Sequence, residues 1–390
     1  MNTNTPIPRA MASTLRQRLG QYPVVTVTGP RQVGKTTLCR QVCTDKPYAN
    51  LERPDDRRRA LTDPQGFLAQ FPHGAVLDEV QRVPELLSWL QTDVDERPKQ
   101  GRWVLTGSHN FELMQSVTQS LAGRTALLHL WPLSLAELRA VGITPPAASV
   151  DELIFCGGYP RVHSEKLDPS MVLADYFATY VERDLRQLIE LRQLDVFRRF
   201  VGMCAGRIGQ LLNLAALAAD VGVSSPTAQA WMTLLEASYI VHRLPPWHAN
   251  IGKRLVKQHK LYFCDVGLAA WLLGVREVGH LPMHPTRGLL FENLIVNEFA
   301  KHQLNQGAAP GLHFFRDSNG LEVDLLVPYG VPPGQLGLVE IKSGQTMHQE
   351  WIARLNRVAA VLGTRVARRM LVYGGDMRGE WSGVELAGLR

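Results

Sequence analysis

The sequence predicts an α/β chain of three parts: a parallel-sheet domain, a mostly helical middle segment and a smaller α/β domain at the carboxyl end. Three observations lead to this prediction. The first part alternates β-branched apolar runs with helical stretches, as parallel α/β domains do. Apolar residues at helical spacing dominate the middle, and the last part combines one long helix with short strands. Breaks containing Pro and Gly place the three domains at 1–145, 146–280 and 281–390.

The composition is that of an ordinary globular protein. The 390 residues are 45% hydrophobic and 20% charged, and the formal net charge of +6 permits a nucleic-acid partner without requiring one. No apolar run reaches the roughly 18 residues of a transmembrane helix, and the amino end lacks an apolar signal segment. We therefore expect a cytoplasmic protein with no membrane partner. The five cysteines are scattered, so we expect no disulfide framework.

The first part carries a phosphate-binding motif. The segment GPRQVGKT fits G-x-x-x-x-G-K-[ST] and stands between a β-branched run and a helix pattern, as a P-loop requires. Its glycines let backbone N–H groups point at phosphate oxygens, and the helix amino end adds partial positive charge. Lys35 is expected to reach the β- and γ-phosphates of ATP, and the Thr36 hydroxyl to ligate Mg²⁺. The predicted ATP-binding residues are Gly29, Pro30, Arg31, Gln32, Val33, Gly34, Lys35, Thr36, Thr37 and, from a later strand, Ser108.

Polar and acidic residues follow the next apolar runs. In VLDEVQ, Asp78 is expected to hold Mg²⁺ through water, and Glu79 to orient and deprotonate the attacking water. The run RWVLTGSHN ends in Ser108 and Asn110, which are both candidate sensors of the γ-phosphate. Arg124 opens a further run. It is a candidate arginine finger for a neighbouring subunit, if the chain forms a homo-oligomeric ring.

These motifs, taken in order, resemble those of a known family. The succession GPRQVGKTTL, VLDEVQRVP, LTGSHN, SLAGRTALLHLWPLSLAEL, GGYPRV and YVERDL is similar to that of a family of prokaryotic AAA+ ATPases. In that family a helical segment and an uncharacterised restriction-endonuclease-like domain follow the ATPase. The resemblance covers residues 20 to about 375. It implies an AAA+ core, and it makes Arg161 in GGYPR and Arg183 in VERDL further candidates for contacting phosphate, beside Arg124.

The middle segment contains a pattern typical of a winged helix-turn-helix. LAALAAD predicts a first helix and Gly222 a tight turn, while Ser225 is the expected cap of a second helix with Pro226 at its first position. YIVHRL and KLYFCDV predict the two strands of a wing. A helix that reads DNA bases usually exposes Arg, Lys, Asn or Gln. The exposed face of this helix offers no basic residue, but only Thr227, Gln229 and Thr233.

Basic residues lie instead in and beside the predicted wing. They are Lys253, Arg254, Lys257, His259 and Lys260. Such a cluster suits contact with phosphates better than readout of bases. Lys253, Arg254 and Lys257 are therefore candidate DNA contacts. The alternative, that this segment only packs the first domain against the last, stays open at the level of sequence.

The last part carries a second set of reactive groups. Asp324 lies in the strand pattern LEVDLLV, and Glu340 and Lys342 share one face of the next strand because they are two residues apart. An Asp followed by Glu-x-Lys across a hairpin is the layout of the PD-(D/E)xK nucleases. The carboxylates would hold Mg²⁺, and the lysine would assist the attacking water. Glu292 in a preceding helix would complete the metal site, and Gln345 is a weaker candidate for the same cleft.

The sequence thus favours an ATP-hydrolysing protein that acts on DNA, with branched or broken DNA as candidate substrates and with ATP and Mg²⁺ as cofactors. The alternative is a nucleotide-dependent switch or scaffold whose nuclease fold is inert. A membrane- or protein-remodelling ATPase is a third interpretation, but no feature of the sequence indicates such a substrate. The candidate catalytic residues are Lys35, Asp78, Glu79, Asp324, Glu340 and Lys342.

Overall fold

The structure is a computed structural model that describes residues 6–108, 120–143, 149–181, 194–247, 257–329 and 334–389. Four residues that the sequence singles out lie outside these ranges. They are Asn110, Arg183, Lys253 and Arg254. Among the described helices, none combines the length and the apolar character needed to cross a membrane.

The first part forms a parallel sheet. Its strands are β1 (Val24–Gly29), β2 (Tyr48–Asn50), β3 (Val76–Asp78), β4 (Trp103–Ser108) and β5 (Thr125–His129). They lie in the order β2-β3-β4-β1-β5, so that β1 pairs with β4 on one side and with β5 on the other. Every residue of β1 and β4 is buried, as expected of central strands covered on both faces. The apolar runs predict four of these strands, whereas β2 has no such run.

Helices connect and cover these strands. They are α1 (Ala12–Leu19), α2 (Lys35–Val42), α3 (Pro54–Thr62), α4 (Pro64–Ala69), α5 (Leu86–Glu96) and α6 (Leu135–Ala140). α2 begins within the P-loop, and a single 3₁₀ turn, Val80–Arg82, follows β3. Because the strands are parallel, β1, β3 and β4 all end at the same edge of the sheet. The residues that follow these strands therefore meet at that edge.

The middle segment is mostly helical. Its helices are α7 (Val150–Cys156), α8 (Pro160–Ser164), α9 (Pro169–Tyr176), α10 (Leu194–Ala205), α11 (Leu214–Val221), α12 (Ser225–Ala237) and α13 (Val266–Leu272). A π-helical turn, Phe177–Val181, follows α9. Between α12 and α13, the strands β6 (Val241–Leu244) and β7 (Lys260–Phe263) pair in antiparallel fashion. The order of two helices followed by a strand pair is the order that the sequence predicts.

The turn between α11 and α12 differs from the prediction at one residue. Gly222 ends α11 in the left-handed conformation, as expected of a tight turn. The cap of α12 is Ser224 rather than Ser225, because the Ser224 hydroxyl accepts the backbone N–H of Thr227. Ser225 is then the first helical residue and Pro226 the second. Two adjacent serines offer the same cap, and only the backbone conformation decides between them.

The last part forms a six-stranded mixed sheet. Its elements are α14 (Arg287–Asn305), β8 (His313–Arg316), β9 (Glu322–Tyr329), β10 (Gln335–Lys342), α15 (Gln349–Leu362), β11 (Val366–Tyr373), β12 (Arg378–Trp381) and β13 (Val384–Gly388), with a 3₁₀ turn at Gly363–Arg365 and another, Val278–His280, ahead of α14. The strand order is β12-β13-β11-β10-β9-β8. β9 and β10 form an antiparallel hairpin, and β10 pairs in parallel with β11.

One hydrophobic core extends through all three parts. It includes Val27 of β1, Phe200 of α10, Tyr262 of β7 and Phe291 of α14, and each of these side chains is at most 1% exposed. Smaller cores lie between the first sheet and α3–α5, and between the last sheet and α15. The three parts are therefore packed against one another, rather than joined only by linkers.

Candidate functional site

The P-loop curls around an open nest of backbone N–H groups. Gln32 and Gly34 both adopt left-handed conformations, with φ of 61° and 90°, and such residues turn successive N–H groups inward. Gly29 cannot carry a side chain, because a Cβ atom there would lie 2.0 Å from the carbonyl oxygen of Leu130. α2 starts at Lys35, so that its amino end faces the nest. The segment therefore has the shape of an anion-binding loop.

Lys35 is buried within this loop. Its Nζ atom donates to the carbonyl oxygens of Gly29, at 3.0 Å, and Pro30, at 2.7 Å. Burial lowers the pKa of Lys35 to about 8, although the nearby carboxylates of Glu79 and Asp78 oppose the shift. The ammonium thus bonds to the loop itself, and an anion in the nest would favour its charged form.

Asp78 is held next to the first turn of α2. The Thr36 hydroxyl lies 2.9 and 3.1 Å from its two carboxylate oxygens. The hydroxyls of Tyr48, at 2.7 Å, and Thr106 also donate to this carboxylate. Mg²⁺ in nucleotide sites takes one or two protein oxygens and fills its octahedron with water and phosphate oxygens. The adjoining oxygens of Thr36 and Asp78 fit that requirement.

Glu79 occupies an unusual backbone position. Its φ of 56° and ψ of 47° are left-handed, which is rare for a residue with a side chain and frequent at functional sites. The Ser108 hydroxyl donates to its Oε1 atom at 2.7 Å, and the Gln81 amide donates to Oε2. Burial opposes ionisation, but the charge of Lys35 and the hydrogen bond from Ser108 outweigh it and lower the pKa of Glu79. Glu79 is therefore an ionised carboxylate fixed beside the P-loop.

These side chains surround a cavity of about 550 Å³. Residues outside the P-loop and the acidic motif line the rest of it. They are Pro6, Ile7, Arg9, Glu52, Leu133, Pro160, Arg161 and Ser164. They come from the amino-terminal segment, the loop after β2, the loop before α6 and α8. Their assembly depends on the packing of the middle segment against the first sheet, which sequence spacing does not reveal.

The structure separates the candidate arginines. Arg161 in α8 lines the cavity of its own chain and pairs with Glu165 at 3.1 Å. Arg124 lies at the amino end of β5, which is the opposite edge of the sheet, and pairs with Asp95 at 2.6 Å. The role of Arg124 at a neighbouring subunit's site stays a prediction. Arg183 lies outside the described residues.

Comparison with known proteins also identifies the part of the chain with the P-loop and the parallel sheet as an ATPase domain. Residues 21–139 match a family described as an AAA domain, while 147–278 and 287–389 each match a domain of unknown function (DUF8612 and DUF4143). The chain is 34% identical over 380 residues to the uncharacterized proteins Rv2008c of Mycobacterium tuberculosis and Mb2031c of Mycobacterium bovis, which covers 95% of this chain and 80% of each relative. The chain belongs to this family of AAA-domain ATPases.

Solved structures are more distantly similar to the ATPase. The Walker-type ATPase PABY2304 of Pyrococcus abyssi is 15% identical with a TM-score of 0.45, over 69% of this chain and 98% of that chain. A point variant of RuvB from Thermotoga maritima is 18% identical with a TM-score of 0.31, over 60% of this chain and 86% of that chain. The family assignment therefore rests on the sequence matches and on the parallel sheet with its P-loop.

In the last domain of the ATPase, the β9–β10 hairpin brings together Asp324, Glu340 and Lys342, the three residues of the predicted nuclease motif. Lys342 Nζ lies 2.7 Å from Glu340 Oε1 and 3.3 Å from Asp324 Oδ2. The backbone N–H of Ile341 also donates to Asp324 Oδ2, at 2.8 Å. The prediction that Glu340 and Lys342 face one side of their strand together with Asp324 is thus met in the geometry.

Glu340 is the most buried member of this group. It is 0% exposed, and although Lys342 Nζ lies 2.7 Å from its Oε1 atom, no group in the described part of the chain donates to its Oε2 atom. Burial, together with the negative charge of Asp324, raises the pKa of Glu340 to about 7. Lys342 and, at 3.8 Å, Arg354 only partly offset this effect. Buried carboxylate oxygens without hydrogen-bond partners are rare in folded proteins.

Glu292 and Asp324 share a contact with one lysine of the middle segment. Lys260 of β7 lies 3.0 Å from Glu292, 2.6 Å from Glu322 and 4.0 Å from Asp324, and the Tyr262 hydroxyl donates to Glu292 at 2.5 Å. In the described part of the chain, no three His, Cys, Asp or Glu side chains are arranged to hold a metal ion. The role of Glu292 as a metal ligand stays a prediction.

One sequence-based expectation about this region needs correction. Lys260 is only 3% exposed and lies in the acidic cluster, which consists of Glu292, Glu322, Asp324 and Glu340. It is therefore not available to a DNA phosphate. All four residues of β7 are buried, so Lys260 lies in a strand that is covered on both faces. Gln345 lies in the exposed turn after β10, and its place in the same cleft stays a prediction. Lys257 is exposed, as a DNA contact would require, and His259 is half-buried.

Proposed function

We propose that the ATPase acts on DNA and that its last domain is a restriction-endonuclease-like, metal-dependent domain of the PD-(D/E)xK type. The observation that carries this proposal is Glu340, beside Asp324 and Lys342, whose buried Oε2 atom has no hydrogen-bond partner among the described residues. A structural ion pair would ordinarily satisfy both oxygens, because an unsatisfied buried charge is costly. A divalent cation held by Glu340 and Asp324 would satisfy them.

The order of the elements supports the same proposal. α14 contributes Glu292, the β9–β10 hairpin contributes Asp324 and Glu340, and α15 leads to β11, which lies parallel to β10. In such a domain a bound Mg²⁺ would polarise the phosphodiester and activate water. Lys342 would stay protonated next to the carboxylates, because burial is outweighed by the charges of Asp324 and Glu340, which raise its pKa. It would then stabilise the negative charge that develops on the phosphate.

For the ATP site we propose the following roles. Lys35 leaves the loop carbonyls to bind the β- and γ-phosphates, and Thr36 with Asp78 holds Mg²⁺. Glu79, ionised and fixed by Ser108, accepts the proton of the attacking water. Arg161 contacts the phosphates from α8 within the same chain, because of the two candidate arginines that the structure describes, Arg161 and Arg124, it is the one that lines the cavity.

The middle segment would contact the DNA backbone in a winged-helix arrangement. α11, α12 and the β6–β7 pair follow one another as in that fold. Two exposed side chains of α12, Gln229 and Thr233, are polar and uncharged, while Lys257 is exposed beside the wing. Phosphate contacts without base readout predict binding that weakens steeply with salt and depends little on sequence.

Cleavage tests this proposal directly. The intact protein is incubated with Mg²⁺ or Mn²⁺ and with linear, circular and four-way-junction DNA. We expect metal-dependent cleavage that is lost in Asp324→Asn and Lys342→Ala but retained, without ATP turnover, in Lys35→Ala. The two sets of variants act at separate sites, so each is the control for the other. If all three DNA forms stay intact with both metals, the nuclease proposal is wrong.

A second candidate function is a nucleotide-dependent switch or scaffold. It is favoured by the two lysines, Lys260 and Lys342, which partly neutralise the acidic cluster. ATP turnover measured with and without DNA separates the candidates. An increase with DNA, reduced in Lys257→Ala at low salt, supports action on DNA. Turnover that no DNA form changes, together with absent cleavage, supports the switch.

A further inference from the structure

Arg9 is a buried cation beside the nucleotide cavity, and it lies outside the motifs that the sequence predicts. Its guanidinium donates from Nη1 to the carbonyl oxygen of Val33 at 2.5 Å and from Nη2 to the carbonyl oxygen of Trp131 at 2.6 Å. Its Nε atom donates to Glu137 Oε1 at 3.0 Å. Arg9 therefore joins three elements: the P-loop, the chain after β5, and α6. Its side chain is only 4% exposed.

The contact with Val33 bears on phosphate binding through the geometry of one peptide. The carbonyl of Val33 and the N–H of Gly34 belong to the same planar trans unit, so they point in opposite directions. We propose that Arg9 is a positioning residue of the ATP site, which holds the Val33 carbonyl away from the nest and thereby aims the Gly34 N–H at a phosphate oxygen. Gly34, with φ of 90°, has the conformational freedom to rotate this peptide if Arg9 is lost.

The charge of Arg9 itself has a different partner. Glu137 is buried and paired with Arg9, and it also accepts the backbone N–H groups of Ala10, at 2.7 Å, and Ser134, at 2.8 Å. Because the guanidinium is neutralised in this way, its contribution to phosphate binding is orientation rather than attraction. Arginine suits this task, because its planar fork presents donors on three separate nitrogens in fixed directions, whereas a lysine offers a single nitrogen.

The test must separate orientation of the loop from simple loss of stability. Removing Arg9 alone would leave Glu137 buried and unpaired, which is strongly destabilising. The double variant Arg9→Met/Glu137→Gln removes both charges. Ser134→Ala is the matched control, since it weakens the cap of α6, where the Ser134 hydroxyl accepts the N–H of Glu137 at 3.2 Å, and leaves the bond from Arg9 to Val33 intact.

We expect the double variant to bind ATP and ADP about tenfold more weakly, which is the loss typical of one hydrogen bond to a charged group. The KM for ATP should rise in parallel while kcat changes less than about threefold. Affinity for adenosine, which has no phosphate, should stay unchanged. Hydrogen exchange of the P-loop in the nucleotide-free protein should quicken in the double variant only. Ser134→Ala should lower the melting temperature with wild-type affinity for ADP.

Three outcomes would overturn the proposal. They are wild-type ADP affinity in the double variant, an equal loss of ADP affinity in Ser134→Ala, and a parallel loss of adenosine affinity. If the double variant does not fold, Arg9→Lys, which keeps the charge beside Glu137, takes its place. It should bind ADP more weakly than the wild type with little change in melting temperature, and unchanged ADP affinity would contradict the role of the fork.

Discussion

At the scale of single residues, burial sets the chemistry of the ATP site. Lys35 lies among backbone carbonyls with its pKa lowered to about 8. Glu79 lies in the same cavity, but a neighbouring cation and a hydroxyl donor lower its pKa instead. Burial thus lowers the pKa of Lys35 towards neutral pH, whereas the charge of Lys35 and the Ser108 hydroxyl keep Glu79 ionised despite its burial. Both features lead to measurable predictions.

The first prediction concerns pH. Phosphates of bound ATP favour the charged form of Lys35. In the nucleotide-free protein the pKa of Lys35 is about 8, so above that pH Lys35 must take up a proton when ATP binds. We expect ATP affinity to be steady below pH 8 and to fall above it, approaching about tenfold per pH unit. Calorimetry in two buffers of different ionisation enthalpy would measure the proton uptake. Constant affinity between pH 7.5 and 9.5 would contradict the shifted pKa.

The second prediction concerns Glu79. Glu79→Gln keeps the size of the side chain and its hydrogen bond from Ser108 but removes the base. We expect kcat for ATP hydrolysis to fall by roughly 10²- to 10⁴-fold, the usual contribution of a general base. ATP affinity should stay equal or increase, because a negative charge near the phosphates is gone. A kcat within tenfold of the wild type would assign the base to another residue.

At the scale of elements, two adjacent serines have different roles at the start of α12. Ser224 caps the helix, whereas Ser225 is its first residue, and both are exposed. Ser224→Ala should therefore lower the free energy of unfolding by about 1 kcal/mol. Ser225→Ala should change it by less than about 0.5 kcal/mol, as for other surface substitutions. Urea denaturation of both variants measures the difference, and the reverse order would support the cap inferred from the sequence.

The β9–β10 hairpin shows which element features the sequence predicts well. A strand has a period of two residues, so Glu340-x-Lys342 defines a shared face without any knowledge of the fold. The sequence cannot predict that β7, far earlier in the chain than β10, delivers Lys260 to the same cluster. That contact depends on the long-range packing of the middle segment against α14. The sequence pattern of KLYFCDV is equally compatible with a lysine exposed on a wing.

At the scale of the whole molecule, a partly buried polar cluster joins the first sheet to the middle segment. The Thr28 hydroxyl lies 2.9 Å from His129 Nδ1 and 2.9 Å from the Tyr239 hydroxyl, which lies 2.8 Å from the same His129 atom. Thr28 immediately precedes the P-loop, and Tyr239 follows α12. Burial lowers the pKa of His129, so the ring stays neutral at pH 7. The cluster thus connects the two parts through uncharged groups.

This cluster gives a prediction about stability. Tyr239→Phe removes one hydroxyl but leaves Thr28 and His129 bonded to each other. We expect the free energy of unfolding to fall by about 1 kcal/mol, the net contribution of a typical hydrogen bond. Tyr329, which is 42% exposed, offers a control, and Tyr329→Phe should have almost no effect. Equal melting temperatures for the two variants would mean that the Tyr239 hydroxyl contributes nothing to the junction.

The sequence by itself determined the P-loop, the acidic residues at the end of β3, and the face shared by Glu340 and Lys342. These features follow from local rules: a glycine-rich loop before a helix, and the alternation of a strand. Only the tertiary structure decided that Arg161 lines the cavity while Arg124 lies at the opposite edge, and that Arg9 holds the loop. It also decided that Lys260 is buried. Such contacts join residues far apart in the chain, and their distances depend on how the three parts pack, which no local spacing encodes.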